Sequence, residues 1–206
     1  MGRRSDHSRD ELELLALDAA TRAVAANGID GLTIRGVAHD IGYSPGTLYN
    51  LFDNRDDLIL RVAGQALDTL VDMLGSVEAG RGRDGLHDLF DTFLTFLDDH
   101  GRLWEAVQAA KAQEGQRSVA FWQMIVRLAD TVRRQLSDAI PGLPRHTAMK
   151  SALTLCLSLN GLLASVNRDN LLTHTQTDVE DLARDLIDRY VFGLEAAYAG
   201  QSQAAE

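Results

Sequence analysis

Nine consecutive residues, SPGTLYNLF from Ser44 to Phe52, place a serine, a proline and a glycine ahead of a segment with helical spacing. Proline and glycine are the poorest helix formers, so this order makes sense only where a helix begins. There, Ser44 serves as the N-cap, and Pro45 gives up an N–H that would have no partner in any case. Gly46, without a Cβ, lets the N–H groups of the first turn come close to a phosphate or a base edge. The chemistry available is recognition by hydrogen bonding.

Bond-making chemistry finds no comparable assembly. No nucleophile, base and orienting group cluster in the sequence, which argues against an enzyme. The single cysteine, Cys156, has no internal disulfide partner and cannot build a thiolate metal site alone; it reads as a small apolar residue in a helix. Six histidines, at 7, 39, 87, 100, 146 and 174, lack ligand spacing, so neither a metal nor a cofactor is expected. Gly80 to Gly85 fits G-x-G-x-x-G, but a dinucleotide site needs a strand before the glycines, and here helical patterns lie on both sides.

The elements that must position Ser44 to Phe52 read almost entirely at helical period, with no alternating run of strand length. Leu12, Leu15, Ala19 and Ala23 form one stripe from about Ser8 to Asn27, with Gly28 as a stop. Ile34, Val37, Ala38 and Ile41 form the next, capped by Thr33 and ended by Gly42. Leu48 and Phe52 are the inward side of the quoted stretch. Asn54 caps a longer helix carrying Leu58, Val62, Ala66, Leu70 and Leu74, with Asp57 in a capping-box-like position. A Gly-rich connection from Gly75 to Gly85 precedes helices at roughly Asp84–His100, Arg102–Glu114, Ser118–Ile140, His146–Arg168 and Asp178–Ala199, about nine in all, with a frayed tail. The spacing from Ile34 to Phe52 has the dimensions of a helix-turn-helix, whose second helix enters a major groove.

The run LTIRGVAHDIGYSPGTLYNLFDNRDDLI, Leu32 to Ile59, closely resembles the DNA-binding signature of the TetR family of bacterial transcriptional regulators. Thr33, Ala38, Gly42, Gly46, Leu48, Tyr49, Phe52 and the Leu58 region fall where that family's pattern puts them, and the resemblance covers about residues 9 to 63. It implies an all-α protein: residues 1–55 would be a three-helix DNA-binding domain with an N-terminal arm, and residues 56–206 a larger bundle for ligand binding and dimerisation. Thr33 would touch a phosphate and Arg35 a base or the backbone. Tyr43, Ser44, Pro45, Gly46 and Thr47 would lie at the groove, Tyr49 and Arg55 would reach phosphates, and Asn50 is the other polar candidate. Arg3 and Arg4 belong either to an arm reaching the minor groove or to a free tail. Where many members carry a basic residue, this chain has Gly36, His39, Asp40 or Asp53.

In the larger part, Phe93, Phe96, Trp104, Phe121 and Trp122, with Gln108 and Asn160 as polar anchors, are candidates to line an effector pocket. Core packing is the rival reading for most of these aromatics. Ser151, Leu155, Leu159 and Leu162, then Leu186, Tyr190 and Leu194, suit a four-helix interface across a two-fold axis. A homodimer would give two recognition helices the separation that a palindromic operator requires. A small molecule favouring a wrong separation of the heads would release the DNA by the reciprocity of linkage, through the helix that starts at Asn54.

Charge is the counterweight. The chain carries a net charge of −10, and residues 1–62 hold 7 arginines against 10 carboxylates. Affinity depends on which charges face phosphate rather than on the total. The acid excess nevertheless motivates a second reading, an all-helical ligand-binding or protein-interaction module with weak or no specific DNA binding. The polar start MGRRSDHSRD is no signal peptide and no apolar run is long enough to cross a bilayer, so a cytoplasmic protein without membrane partners is expected.

Overall fold

The computed structural model describes residues 7–76, 80–112, 119–166 and 178–203, and among them all regular structure is helical. Eight α-helices follow one another: α1 Arg9–Asn27, α2 Ile34–Asp40, α3 Pro45–Tyr49, α4 Arg55–Ser76, α5 Arg83–Ala112, α6 Val119–Ala139, α7 Arg145–Val166 and α8 Val179–Gln203, with a 3₁₀ turn at Ile29–Gly31. They form two compact units, Met1–Asp72 with Thr95–Ile125, and Met73–Leu94 with Val126–Glu206.

The first unit is built from capped short helices. Ser8 accepts the Glu11 N–H at 3.3 Å while the Glu11 carboxylate accepts the Ser8 N–H at 2.7 Å, closing a reciprocal cap on α1. At the other end the Gly28 N–H reaches the Val24 carbonyl at 2.8 Å, and Arg102 donates to the carbonyls of Ala25 and Ala26, which the helix leaves without partners. Thr33 Oγ1 accepts the Gly36 N–H at 2.9 Å to start α2. For α4, Asn54 Oδ1 accepts the Asp57 N–H at 2.9 Å, and the Asp57 carboxylate reaches back to the Asp53 N–H at 3.2 Å. Ala16, Ala20, Val24, Leu32, Val37, Ala38, Leu48, Phe52, Leu58 and Val62 are all buried in this unit. A fully buried Leu, Val or Phe side chain contributes about 1.5 to 3 kcal/mol, so this core, not the five-residue α3 itself, holds α3 in place.

The second unit has its core in Leu86 and Phe90 of α5, Leu136 of α6, Ala152 and Leu155 of α7, and Ala183, Ile187 and Val191 of α8. Arg83 reaches Glu195 at 3.3 Å, His87 reaches Asp188 at 3.0 Å, and Arg184 pairs with Asp91, fastening α5 to α8 along a half-exposed edge. The G-x-G-x-x-G letters lie at the start of α5. A Cβ on Gly85 would collide with the Gln135 amide and the Gly80 carbonyl, so packing accounts for this glycine.

One expectation holds and one is corrected. The helix break expected after His100 is present as a kink: His100 leaves helical geometry (φ −132°, ψ 23°) and divides α5 into two helical stretches, the second running to Ala112. The tail expected to fray after Ala199 is helical as far as Gln203.

Candidate nucleic-acid interface

The turn between α2 and α3 is fixed by backbone bonds. Gly42 takes φ +75°, a region that costs a side-chain-bearing residue about 1 to 2 kcal/mol, and the Tyr43 N–H returns to the Ala38 carbonyl at 2.8 Å. Ser44 stands in extended geometry; its Oγ accepts the Thr47 N–H at 3.2 Å and lies 2.9 Å from Thr47 Oγ1. Pro45 occupies the first turn as the sequence predicts. Leu48, completely buried, anchors the helix, and its carbonyl receives the N–H groups of Leu51 and Phe52, each at 2.9 Å.

Around that anchor the remaining side of α3 faces outward. Ser44, Pro45, Gly46, Tyr49 and Asn50 are exposed, as are Thr33 and Arg35 of the preceding segment, while Tyr43 and Thr47 are half-buried. The Tyr49 ring is 53% exposed, more than a packing role requires. Gly46 stands in open space: a Cβ there would meet only Ser44 Oγ, at 3.8 Å. Nothing in the backbone conformation or the packing of the described residues calls for glycine at this position.

Arg55 is placed differently. Its Nε donates to the Leu32 carbonyl at 2.8 Å and Nη2 to the Ile29 carbonyl at 2.6 Å, so the guanidinium ties the loop before α2 to the start of α4. Arg22 is engaged with Asp18 and with Asp40, the latter at 3.1 Å; Arg61 is engaged with Glu13 and with Asp57, the latter at 3.2 Å. Among the described residues of the head, the arginines left facing outward beside α3 are Arg35 and Arg9, whose Nη2 donates to the Asn50 carbonyl at 3.3 Å. Arg3 and Arg4 lie outside the described residues. Sequence reasoning did not single out His7, whose Nδ1 lies 2.8 Å from the Tyr43 hydroxyl. The two residues are 36 positions apart, and no periodicity links them.

The candidate pocket residues are partly brought together. Phe96 is completely buried, with the His100 ring 5.2 Å away and the Trp104 ring 6.2 Å away, edge-on. Gln108 is half-buried in the same first unit; Phe93 and Asn160 belong to the second, and the side chains of Phe121 and Trp122 lie outside the described residues. At the α5 kink an open cleft of about 300 Å³ is lined by Ala25 and by Leu97 to Leu103. Among the described residues no group of three or more potential ligands could hold a metal ion.

On α7 and α8 the candidate interface residues divide. Ser151 and Leu155 are buried, Leu155 in the second unit's own core, and Leu159, Leu162, Leu186, Tyr190 and Leu194 pack against that core half-buried. The outward apolar surface is carried instead by Leu157, 68% exposed, and Phe192, 67% exposed, beside the exposed small residues Ser158, Gly161, Gly193 and Ala196. Helix α7 is apolar on two sides, so its sequence pattern alone does not tell the inner from the outer.

Residues 16–62 match the family model described as bacterial regulatory proteins, tetR family. An uncharacterised HTH-type transcriptional regulator of Mycobacterium tuberculosis is 35% identical over 68 residues, 33% of this chain and 31% of that relative, so the match spans about a third of its length. A TetR transcriptional regulator from Rhodococcus sp. RHA1 shares the fold with a TM-score of 0.64 at 17% identity, over 93% of this chain and 99% of its own. The multidrug binding protein EbrR, solved with imidazole, is similar with a TM-score of 0.55 at 25% identity, over 90% of this chain and 96% of its own. A helical chain with this turn and this capped, outward-facing third helix is a helix-turn-helix protein. Over residues 16–62 it is similar to the TetR family of bacterial regulators. No helix among the described residues is long and apolar enough to cross a membrane.

Proposed function

We propose that this protein is a homodimeric DNA-binding transcriptional regulator, a repressor released from its operator by a small molecule. The observation that carries the DNA-binding part is Gly46. Neither backbone geometry nor internal packing asks for it, whereas a duplex pressed against the start of α3 would, because a Cβ would hold the Ser44–Thr47 backbone away from phosphate. Thr33, Arg35, Tyr43, Ser44, Pro45, Thr47, Tyr49 and Asn50 surround it as contact residues. Arg55 acts first by holding the loop before α2, with any phosphate contact made by its remaining N–H.

Dimerisation uses the outward side of α7 and α8 around Leu157 and Phe192. Large apolar side chains interleaved with small ones suit close helix packing across a two-fold axis, and a monomer would leave them in water. The likeness to a multidrug binding protein supports a small-molecule effector, and residues 56–206 are its assigned domain. His100 and Trp104 beside the α5 kink, packed on the buried Phe96, offer aromatic surface for it. The soluble cell interior is the setting such a regulator requires.

Selection of binding duplexes from a random pool, followed by anisotropy titration over a range of salt, tests this reading. Enrichment of a palindromic sequence whose half-sites lie about one helical turn apart is expected. The second reading, a module without specific DNA binding, draws on the excess of carboxylates over arginines in residues 1–62. Recovered duplexes that bind no better than random DNA at every salt concentration would establish it instead.

A further inference from the structure

His7 and Arg9 lie at opposite ends of the recognition helix although both precede or open α1. His7 Nδ1 is 2.8 Å from the hydroxyl of Tyr43, one residue before the α3 cap, and Arg9 Nη2 is 3.3 Å from the carbonyl of Asn50, the residue that ends α3. The two contacts lay the entry to α1 along α3 from its first turn to its last. Resting on the DNA-binding reading above, we infer that His7 is a further phosphate-contact residue, oriented by Tyr43, and that it makes the affinity for DNA depend on pH.

The hydrogen bond to Tyr43 sets the chemistry. With the phenol donating to Nδ1, the neutral ring carries its proton on Nε2, on the far side from Tyr43; the His7 side chain is exposed. Protonation puts a second proton on Nδ1, which then donates to the phenol oxygen, and Nε2–H becomes a charged donor without the ring having to turn. A charge-assisted bond to phosphate is about twice as strong as a neutral one. The groups around His7 are the Tyr43 phenol, Arg9 and Asp10 in the next turn, and Glu11, whose carboxylate is already held by the Ser8 N–H at 2.7 Å. Helix α3 contributes no charged residue, only the Tyr49 phenol. With Arg22, Arg55 and Arg61 all engaged internally, one added positive charge beside α3 is a large fraction of what this face can offer phosphate.

The test uses the full-length chain and a fluorescein-labelled duplex recovered by the selection, titrated by anisotropy at pH 6 and pH 8 over several salt concentrations. Wild type should bind more tightly at pH 6, and its log–log salt slope should steepen by about 0.9 for each added phosphate contact, hence about 1.8 for a dimer. His7→Gln should lose both the pH gain and the steepening, Tyr43→Phe should lose part of each, and His39→Gln, on the exposed side of α2, should keep both. An unchanged slope difference in His7→Gln overturns the assignment of His7 while leaving DNA binding intact. Failure of wild type to bind any selected duplex at either pH overturns both.

Discussion

Arg55 donates from Nε to the Leu32 carbonyl at 2.8 Å and from Nη2 to the Ile29 carbonyl, closing the loop before α2 over a half-buried guanidinium. Hydrogen bonds involving a charged group contribute about 1.5 to 3 kcal/mol, and the planar fork is what lets one side chain serve two carbonyls. Arg55→Ala should therefore lower the unfolding free energy by about 2 kcal/mol in a urea titration, and Arg55→Lys should recover less than half of it. If Arg55 also touches phosphate, the salt slope of DNA binding falls by about 0.9 per head in Arg55→Ala; if it only holds the loop, the slope is unchanged.

Gly46→Ala separates folding from recognition. A Cβ at this position has open space, and alanine is the better helix former by about 0.8 to 1.0 kcal/mol in a helix interior, so urea unfolding should show equal or greater stability. Affinity for the selected duplex should fall at least about tenfold, equivalent to about 1.4 kcal/mol of lost close contact. Equal affinity of the two proteins would remove the argument from Gly46.

What was legible in the sequence was local. Thr33, Ser44 and Asn54 each cap the helix expected of them, because a cap is a bond between a side chain and an N–H three residues on. The break after His100 was legible as well: Gly101 is a weak helix former, and His100 leaves helical geometry beside it, so α5 is kinked there. Which side of α7 faces inward was not legible: Leu155 and Leu157 are both leucines two residues apart, one 1% and the other 68% exposed, and only packing against the core formed with α5, α6 and α8 separates them. The pairing of His7 with Tyr43 was not legible either, since it depends on how α1 crosses the turn after α2.

That division on α7 can be tested directly. Leu157→Asp and Phe192→Asp should leave the helical circular dichroism and the thermal midpoint of the isolated subunit nearly unchanged while weakening self-association at least about a hundredfold, the effect of truncating a central interface anchor worth about 2 to 4 kcal/mol. Leu155→Asp should instead unfold the second unit, because it places a charge among Leu86, Phe90, Leu136 and Ile187. Light scattering over a dilution series distinguishes the outcomes; a dimer of undiminished affinity in both surface variants would move the interface elsewhere.

The reciprocal cap on α1 makes an acid-range prediction. The Ser8 backbone N–H, with the Ser8 side chain second and the nearby His7 a smaller contribution, holds the Glu11 carboxyl below its ordinary range. A carboxylate whose folded value is depressed stabilises the fold at pH above its unfolded value, near pH 4, and that contribution is lost as pH falls through the folded value. Glu11→Gln keeps a neutral acceptor but cannot follow this titration. The stability difference between wild type and Glu11→Gln should be greatest at neutral pH and shrink as pH is lowered below about 4, when both side chains are uncharged. Thermal melts between pH 3 and 7 read this out. Ser8→Ala, which removes the other half of the cap, should cost about 1 kcal/mol at pH 7. If the wild-type and Glu11→Gln melts stay parallel across the whole range, the Ser8–Glu11 bond does not carry the titration.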